Sequence, residues 1–545
     1  AQLAISVWDT VIVIVYLVGI MAVGILVGYK KRASSQEFFL AGRSLRWPMI
    51  GAALFTANIS TIHLVGLAAS GYRIGLAVGN FEWMASFTLI ILGLVFAPFY
   101  FRSKIQTLPE FLEKRYSPTA RLILAFVAIL GALLIHIGIS LYAGAKVLEQ
   151  FFGLNVYISI IGIAGITAIY TIIGGLKAVV VTDTIQAVLL LVGAAVLTVL
   201  GVVHLEDVGI DSLAELREAA KPQQMSMIHP LTKADGTFTE YSWLTGMLGY
   251  FVLGIWYWCT DQTIVQKVLG ARSEKDGPDG TVLPGFLNIL PVFLMVFPGV
   301  IAYLLFADQI SEPNDTLPVM MKNLLPTGLL GLMVAGLLAA LMSTIEAALN
   351  STATVTAEDI VKRLFPRIRD RTLVLIGRIT AAVVILLAMA WSTQGDKFSS
   401  IFEAINKIPM MFAPAITTVF VLGVFWRRGN NTAALATLIA GGVVGAAYCL
   451  IDLPAFGDVQ LVADPVHGLG IPFMMAGLIL LVFCVIVYVA VSLATQPPPA
   501  AKIENLTWAR PWKAITEGRL RGVTDPRIMA AGLFVIMVIL YAIFH

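Results

Sequence analysis

Apolar runs recur along this chain at lengths that fit a lipid bilayer. A membrane helix needs about 20 such residues, and by that measure the pattern predicts about fourteen helices. They fall at 7–29, 47–72, 76–101, 120–148, 156–173, 178–203, 242–265, 282–306, 326–357, 373–391, 400–426, 432–451, 471–493 and 528–544. A polar segment, 204–241, separates the sixth run from the seventh. One stretch breaks the apolar pattern at mid-depth. Residues 53–83 (ALFTANISTIHLVGLAASGYRIGLAVGNFEW) carry Thr56, Asn58, Ser60, Thr61 and His63 inside the second run and Glu82 one turn into the third. Polar groups in hydrocarbon cost several kcal/mol each unless something satisfies them. Their clustering therefore predicts a lined cavity with a function.

The seventh run is interrupted in the same way, at WYWCTDQ (256–262), five runs after the first interruption. Broken helices in matching positions of two five-helix halves point to an inverted repeat with its binding site at the breaks. The expected organisation is a first helix and cytoplasmic loop (1–46) and a first repeat (47–203). An extracellular loop (204–241), a second repeat (242–428) and three C-terminal helices (429–545) follow.

Charge orients the bundle. Lys30, Lys31, Arg32, Arg43 and Arg46 follow the first run; Arg102, Lys104, Lys114, Arg115 and Arg121 follow the third. Lys177 follows the fifth, Lys267, Arg272 and Lys275 the seventh, and Lys362, Arg363, Arg367, Arg369 and Arg371 the ninth. Arg427 and Arg428 follow the eleventh, and Arg510, Lys513, Arg519, Arg521 and Arg527 precede the last. All lie on one side if every run spans. Opposite them are Glu206, Asp207 and Asp211, and Asp308, Glu312 and Asp315. Both termini are then outside. LPEFLEKR (108–115) reads as a short interfacial helix.

Composition agrees. The 545 residues are 58% hydrophobic and 13% charged, where a soluble domain carries about 25% charged residues. A net charge of +3 without a basic run excludes nucleic acid as a partner. Cys259, Cys449 and Cys484 sit in apolar runs and read as packing residues. No cleavable signal sequence is visible. No nucleophile–base pair, metal-ligand spacing or phosphate loop marks an enzyme. Few cysteines and a short tail favour the bacterial inner membrane.

Two kinds of chemistry fit the intramembrane polar residues. Na+ is a hard cation that takes oxygen ligands. Thr56 and Ile59 flank the first interruption, and the ninth run supplies Ser343, Thr344 and the carbonyl of Ala340. The plainer reading is that these hydroxyls bond the carbonyl four residues back. Glu346 shares a stripe with Ser343 and Asn350, and is paired, bound to Na+ or neutral. Asp183 is a second candidate carboxylate, or a cap. An uncharged polyhydroxylated ligand would need donors and acceptors at fixed positions. Asn58, His63, Glu82, Asn288 and Asn406 offer them, and Tyr257 and Trp258 can stack on the apolar face of a ring. His136 reads as packing or gating.

FFLAGRSL, ANIS with His63, FEW, LPEFLEKRY, GGLKAVVVTDTIQ, WYWCTDQTIVQ, MST with LNSTAT, and VFVLGVFWRR resemble the sodium/glucose cotransporter family of the solute:sodium symporters. The likeness extends over nearly the whole chain. It implies an all-α polytopic membrane protein with a LeuT-type 5+5 inverted-repeat core. It implies Na+ at Thr56, Ile59, Ala340, Ser343 and Thr344. It also implies sugar at Asn58, His63, Glu82, Trp258, Asn288 and Asn406, with Tyr257 as inner gate. Sugar carriers of the family usually have Lys at the position of Asn288 and Gln at that of Asn406. The difference leaves a different sugar or a cyclitol open. In some members Ser or Thr joins the aspartate at position 183 in a second sodium site; here Glu346 and Ala347 stand in that place.

The expected activity is Na+-coupled symport of a neutral sugar or related polyol across the plasma membrane by alternating access, with one Na+ and with Glu346 protonated or paired. Two other readings stay open. One is a sugar-gated sensor or leak pathway on the same fold. The other is symport of a carboxylate or amino acid, against which Glu82 argues, since two negative charges would share a dry pocket.

Overall fold

The computed structural model describes residues 5–28, 34–233, 236, 238–239, 241–394, 406–452, 471–508, 516 and 521–545, without the side chains of Thr61 and Ile62. Lys30, Lys31, Arg32, Arg510, Lys513 and Arg519 of the orienting charges, and 400–405 of the eleventh run, lie outside them. Among the described residues the protein is helical, with isolated β-bridges such as Leu45 with Ala271. Ten helices are long and apolar enough to cross a membrane, and a bent pair makes up to eleven.

In chain order the elements used below are α1 (Val7–Gly28), α2 (Trp47–Asn58), α3 (Thr61–Arg73), α4 (Leu76–Arg102), α5 (Leu108–Arg115), α6 (Pro118–Phe152) and α7 (Val156–Val203). Then come α8 (244–260), α9 (Gln262–Leu269), α10 (Asp276–Gln309), α11 (Leu329–Leu364), α12 (Asp370–Ser392), α13 (Ala413–Phe425), α14 (Asn431–Ile451), α15 (Phe473–Ala494) and α16 (Pro526–Ile543).

The difference between about fourteen runs and these helices has three sources. The fifth and sixth runs form one helical stretch of 48 residues, α7. A straight helix of that length would reach about 72 Å, more than twice a bilayer core. Gly175 divides it, with φ +62° and ψ −162°, a conformation that favours glycine. The seventh run is split into α8 and α9, each too short to qualify alone. The eleventh contributes α13, only 13 residues long.

Both predicted interruptions are present. After Asn58 the chain is extended at Ile59 (φ −82°, ψ 104°) and Ser60 (φ −101°, ψ 169°), then turns into α3 with a bend of 58°. His63 steadies the restart: its Nδ1 accepts from the Ser60 N–H at 3.3 Å and lies 2.9 Å from Ser60 Oγ. The second break is at Asp261 (φ −83°, ψ 125°), whose Oδ1 accepts from the Thr263 N–H at 2.7 Å and so caps α9.

α11 is the axis of the bundle. In its most apolar window 94% of residues are buried, against 17% for α1 at the periphery. It packs on α7, α1 and α12 and on both halves of the broken α2–α3 helix. LPEFLEKR forms α5 as expected. Its Leu108 N–H donates to Gln262 Oε1 at 2.8 Å, so the interfacial helix is tied to the start of α9.

Candidate functional site

A helix break leaves backbone carbonyls without their intrahelical partners and opens space at mid-depth. Here the space is a cavity of about 80 Å³ between α2–α3, α4, α6, α8 and α11. Asn58, His63, Glu82, Tyr257 and Asn406 of the expected sugar residues line it, together with Ser60 and Thr344. Glu82 is buried, and its Oε2 accepts from Asn58 Nδ2 at 3.1 Å. Tyr257 closes one wall, with its hydroxyl donating to the Ala57 carbonyl at 3.3 Å, beside the break. The lining thus joins a carboxylate, two amides, two imidazoles and aromatic faces, a set suited to a small hydroxylated ligand.

Two expected residues are placed elsewhere. Trp258 is fully buried, its Nε1 donating to Tyr250 Oη at 3.3 Å, and it does not line the cavity. Asn288 is fully buried outside the lining, and neither of its amide atoms meets a protein partner. In their stead Tyr250, Leu253 and Trp256 join Tyr257 along one side of α8. That spacing of three and four residues is a helical stripe, and it was readable in the sequence. His136 also lines the cavity, and its Nε2 lies 3.0 Å from Asp261 Oδ2 at the second break.

The oxygens expected to hold Na+ lie where α2–α3 meets α11. Thr344 Oγ1 donates to the Ala340 carbonyl at 3.2 Å, four residues back. Thr56 Oγ1 makes the same kind of bond to Ala52 at 2.8 Å, and also reaches the backbone carbonyl of Asp183 at 3.0 Å. Ser343 Oγ donates to Asp183 Oδ1. Asp183 therefore bridges α2 and α11 from α7. Thr344 belongs both to this oxygen set and to the cavity wall, so the two expected sites adjoin.

Asp183 and Glu346, read together as a second cation site, do fall in one cluster, with Thr182, Tyr170 and Lys267 around them. Glu346 is fully buried. Its Oε2 accepts from Thr182 Oγ1 at 2.9 Å, and its Oε1 has no protein hydrogen-bond partner. Lys267 was missed. Counted among the cytoplasmic loop charges, it is 1% exposed within α9. Its Nζ donates to Asp183 Oδ2 at 2.8 Å and to the Ala53 carbonyl at 2.9 Å. The signal was its place in TIVQKVL, a cation inside an otherwise apolar helical run after a break.

Two broken helices packed on a buried axial helix, beside a cavity lined by polar and aromatic side chains, are the architecture of a polytopic membrane protein. The chain belongs to the sodium:solute symporter family, which it matches over residues 38–441. It is 32% identical to the sodium/glucose cotransporter 1 of Oryctolagus cuniculus over 92% of this chain and 81% of that one. It is 36% identical to the sodium/mannose cotransporter of Bos taurus over 92% of this chain and 89% of that one. Its fold is similar to that of a Na+-coupled sialic acid symporter solved in a substrate-bound, outward-open state. The TM-score is 0.74 at 20% identity, covering 90% of this chain and 99% of the other.

Proposed function

We propose that this protein is a secondary active symporter that couples Na+ to the movement of a neutral sugar or related polyol by alternating access. The observation that carries this reading is the adjacency of the two sites. Thr344 stands in both the oxygen set and the cavity wall, so an ion on α11 and a solute beside Asn58 and Glu82 share one contact surface. The named activities of the related cotransporters agree with it. About fourteen spans, the 5+5 inverted repeat over 47–203 and 242–428 and the bacterial inner membrane belong to the same proposal.

The residues suggest the sequence of events. Na+ entering from outside is held by Thr56, Ile59, Ala340, Ser343 and Thr344, and fixes the broken helix against α11. That completes the wall around Asn58, His63 and Glu82, which take the solute hydroxyls. Loss of Na+ to the inside loosens the same contact. Tyr257 then leaves the Ala57 carbonyl and the solute departs. One Na+ moving down ~100 mV and a tenfold gradient supplies about 3.7 kcal/mol, enough for roughly 500-fold accumulation.

Uptake into proteoliposomes tests the proposal, with labelled hexoses, pentoses and cyclitols, with and without an inward Na+ gradient. Uphill, Na+-dependent uptake of one neutral solute is expected. Ligand binding without accumulation would replace the proposal with the sensor or leak reading. Saturable uptake of a carboxylate or amino acid would replace the substrate class.

A further inference from the structure

We propose that Asn80 and Tyr541 are positioning residues for Glu82, through which α16 sets solute affinity without touching the solute. The proposal rests on the symport reading above. Both side chains are buried, and neither lines the cavity. α4 becomes α-helical at Asn80, after a tighter opening turn over Leu76–Gly79, and its first residues read Asn80, Phe81, Glu82, Trp83. Residues three apart share a helix face, and residues two apart stand about 200° apart. Asn80 and Trp83 form one such face, and both meet Tyr541. The Tyr541 hydroxyl donates to Asn80 Oδ1 at 2.6 Å, and its ring lies edge-on to that of Trp83, with centroids 5.1 Å apart. Phe81 and Glu82, between them, line the cavity. Tyr541 therefore backs the turn whose front presents the carboxylate.

The amide of Asn80 leaves that turn little freedom. Its Nδ2 donates to the Ala77 carbonyl at 2.8 Å and to the Met227 carbonyl at 2.7 Å, so donor and acceptor ends are both engaged, on three segments. Met227 closes the ring of contacts by donating its N–H to the Phe544 carbonyl at 2.6 Å. The Phe544 ring packs against Trp83, with centroids 6.2 Å apart, and against Phe293, at 5.7 Å. Segments far apart in sequence thus converge behind one turn of α4. At the front, Asn58 Nδ2 donates to Glu82 Oε2 at 3.1 Å, from the last residue before the first break. That bond is set from both ends, by the break in α2 and by the backbone of α4 that Asn80 anchors. Hydrogen bonds weaken steeply with misalignment, so release of the anchor is felt at the carboxylate.

The test uses the reconstituted full-length protein, with labelled D-glucose, D-mannose and myo-inositol as probes. Tyr541→Phe keeps the ring and removes the hydroxyl. It is expected to raise the KM of a transported probe by about twofold to tenfold, what one hydrogen bond is worth, with kcat and the affinity for 22Na+ at wild-type values. Asn80→Ala is expected to raise KM at least as much. Adding Tyr541→Phe to it should raise KM no further, because the shared bond is already gone. An unchanged KM in Tyr541→Phe, or additive effects in the double variant, would overturn the proposal. So would a KM rise matched by equal losses of kcat and 22Na+ affinity, the mark of general loosening. A readout without solute runs beside these: labelling of Glu82 by dicyclohexylcarbodiimide, measured by mass spectrometry against Glu346 in the same sample. The ratio of Glu82 to Glu346 labelling is expected to rise severalfold in Tyr541→Phe, and a constant ratio would overturn the assignment. Wild-type uptake that ignores Na+ would instead remove the symport reading, and with no uptake of any probe the labelling ratio alone decides the present one.

Discussion

At the scale of single residues the cavity depends most on Glu82, a buried acceptor held by one amide from Asn58. A hydrogen bond contributes about 0.5–1.5 kcal/mol net. Glu82→Ala, which removes the acceptor, is therefore expected to weaken solute affinity by roughly twofold to tenfold while leaving Na+ binding in place. The KM for solute at saturating Na+ and the number of bound 22Na+ read the two effects separately. The tryptophans give a second expectation. Trp256 lines the cavity and Trp258 does not, so Trp256→Ala should raise the solute KM severalfold. Trp258→Phe should leave KM unchanged and lower thermal stability, since it removes the bond to Tyr250; equal KM effects would contradict the lining. These two residues also show where sequence reasoning stops. Asn58, His63, Glu82 and Tyr257 were legible because polar or aromatic groups stood out in an apolar run. Which of three neighbouring aromatics line the cavity was legible only from the longer stripe of Tyr250, Leu253, Trp256 and Tyr257, because an aromatic residue alone does not tell which face of a buried helix meets the space.

At the scale of elements, the breaks in the second and seventh runs were legible as polar interruptions and are where the pattern put them. What ties the ends of α5, α6 and α11 together was not, because it depends on partners hundreds of residues apart. Arg121 at the start of α6 donates through Nε to Asp359 Oδ1 at 2.7 Å, and Thr107 Oγ1 donates to the same oxygen at 2.6 Å. Arg121 also bonds Glu113 of α5 at 2.7 Å, and Glu113 bonds Arg363 at the end of α11. This clamp joins the interfacial helix to the axial helix. Asp359 is fully buried, and removing one partner of a buried pair typically costs about 3–5 kcal/mol. Arg121→Met is thus expected to lower the apparent Tm of the purified protein in detergent by far more than Lys146→Met. The Lys146–Glu149 pair is nearly half exposed on both sides and contributes ~1 kcal/mol or less. Equal shifts in a thermal-stability assay would show that the clamp carries no such load.

For the whole molecule, the distribution of positive charge along the sequence implied a sidedness, and long-range contacts now bear on it from an independent direction. The polar loop at 204–241 and the acidic segment around Asp308, Glu312 and Asp315 were assigned to the outside. The Phe544 carbonyl accepts from the Met227 N–H at 2.6 Å, and Arg217 donates to the Ile543 carbonyl at 2.5 Å, so the C-terminal end lies against the first of these loops. Asp9 at the start of α1 accepts from the N–H groups of Gly328 and Gly331, both at 2.7 Å, so the N-terminal end lies beside the second. Neither contact uses the basic residues on which the charge argument rests. Each end is thus held beside a segment that the charge pattern assigns to the acidic side. An odd miscount of the spans would put the two ends on opposite sides. Single cysteines at 206, 312 and 545, introduced into a protein whose Cys259, Cys449 and Cys484 are buried, are expected to react with a membrane-impermeant maleimide added to intact cells. Cysteines at 177 and 371 should react only after the membrane is opened. Labelling at 545 from inside, with 206 labelled from outside, would break the link between the C-terminal helix and its loop. It would require a different number of crossings between residues 206 and 545.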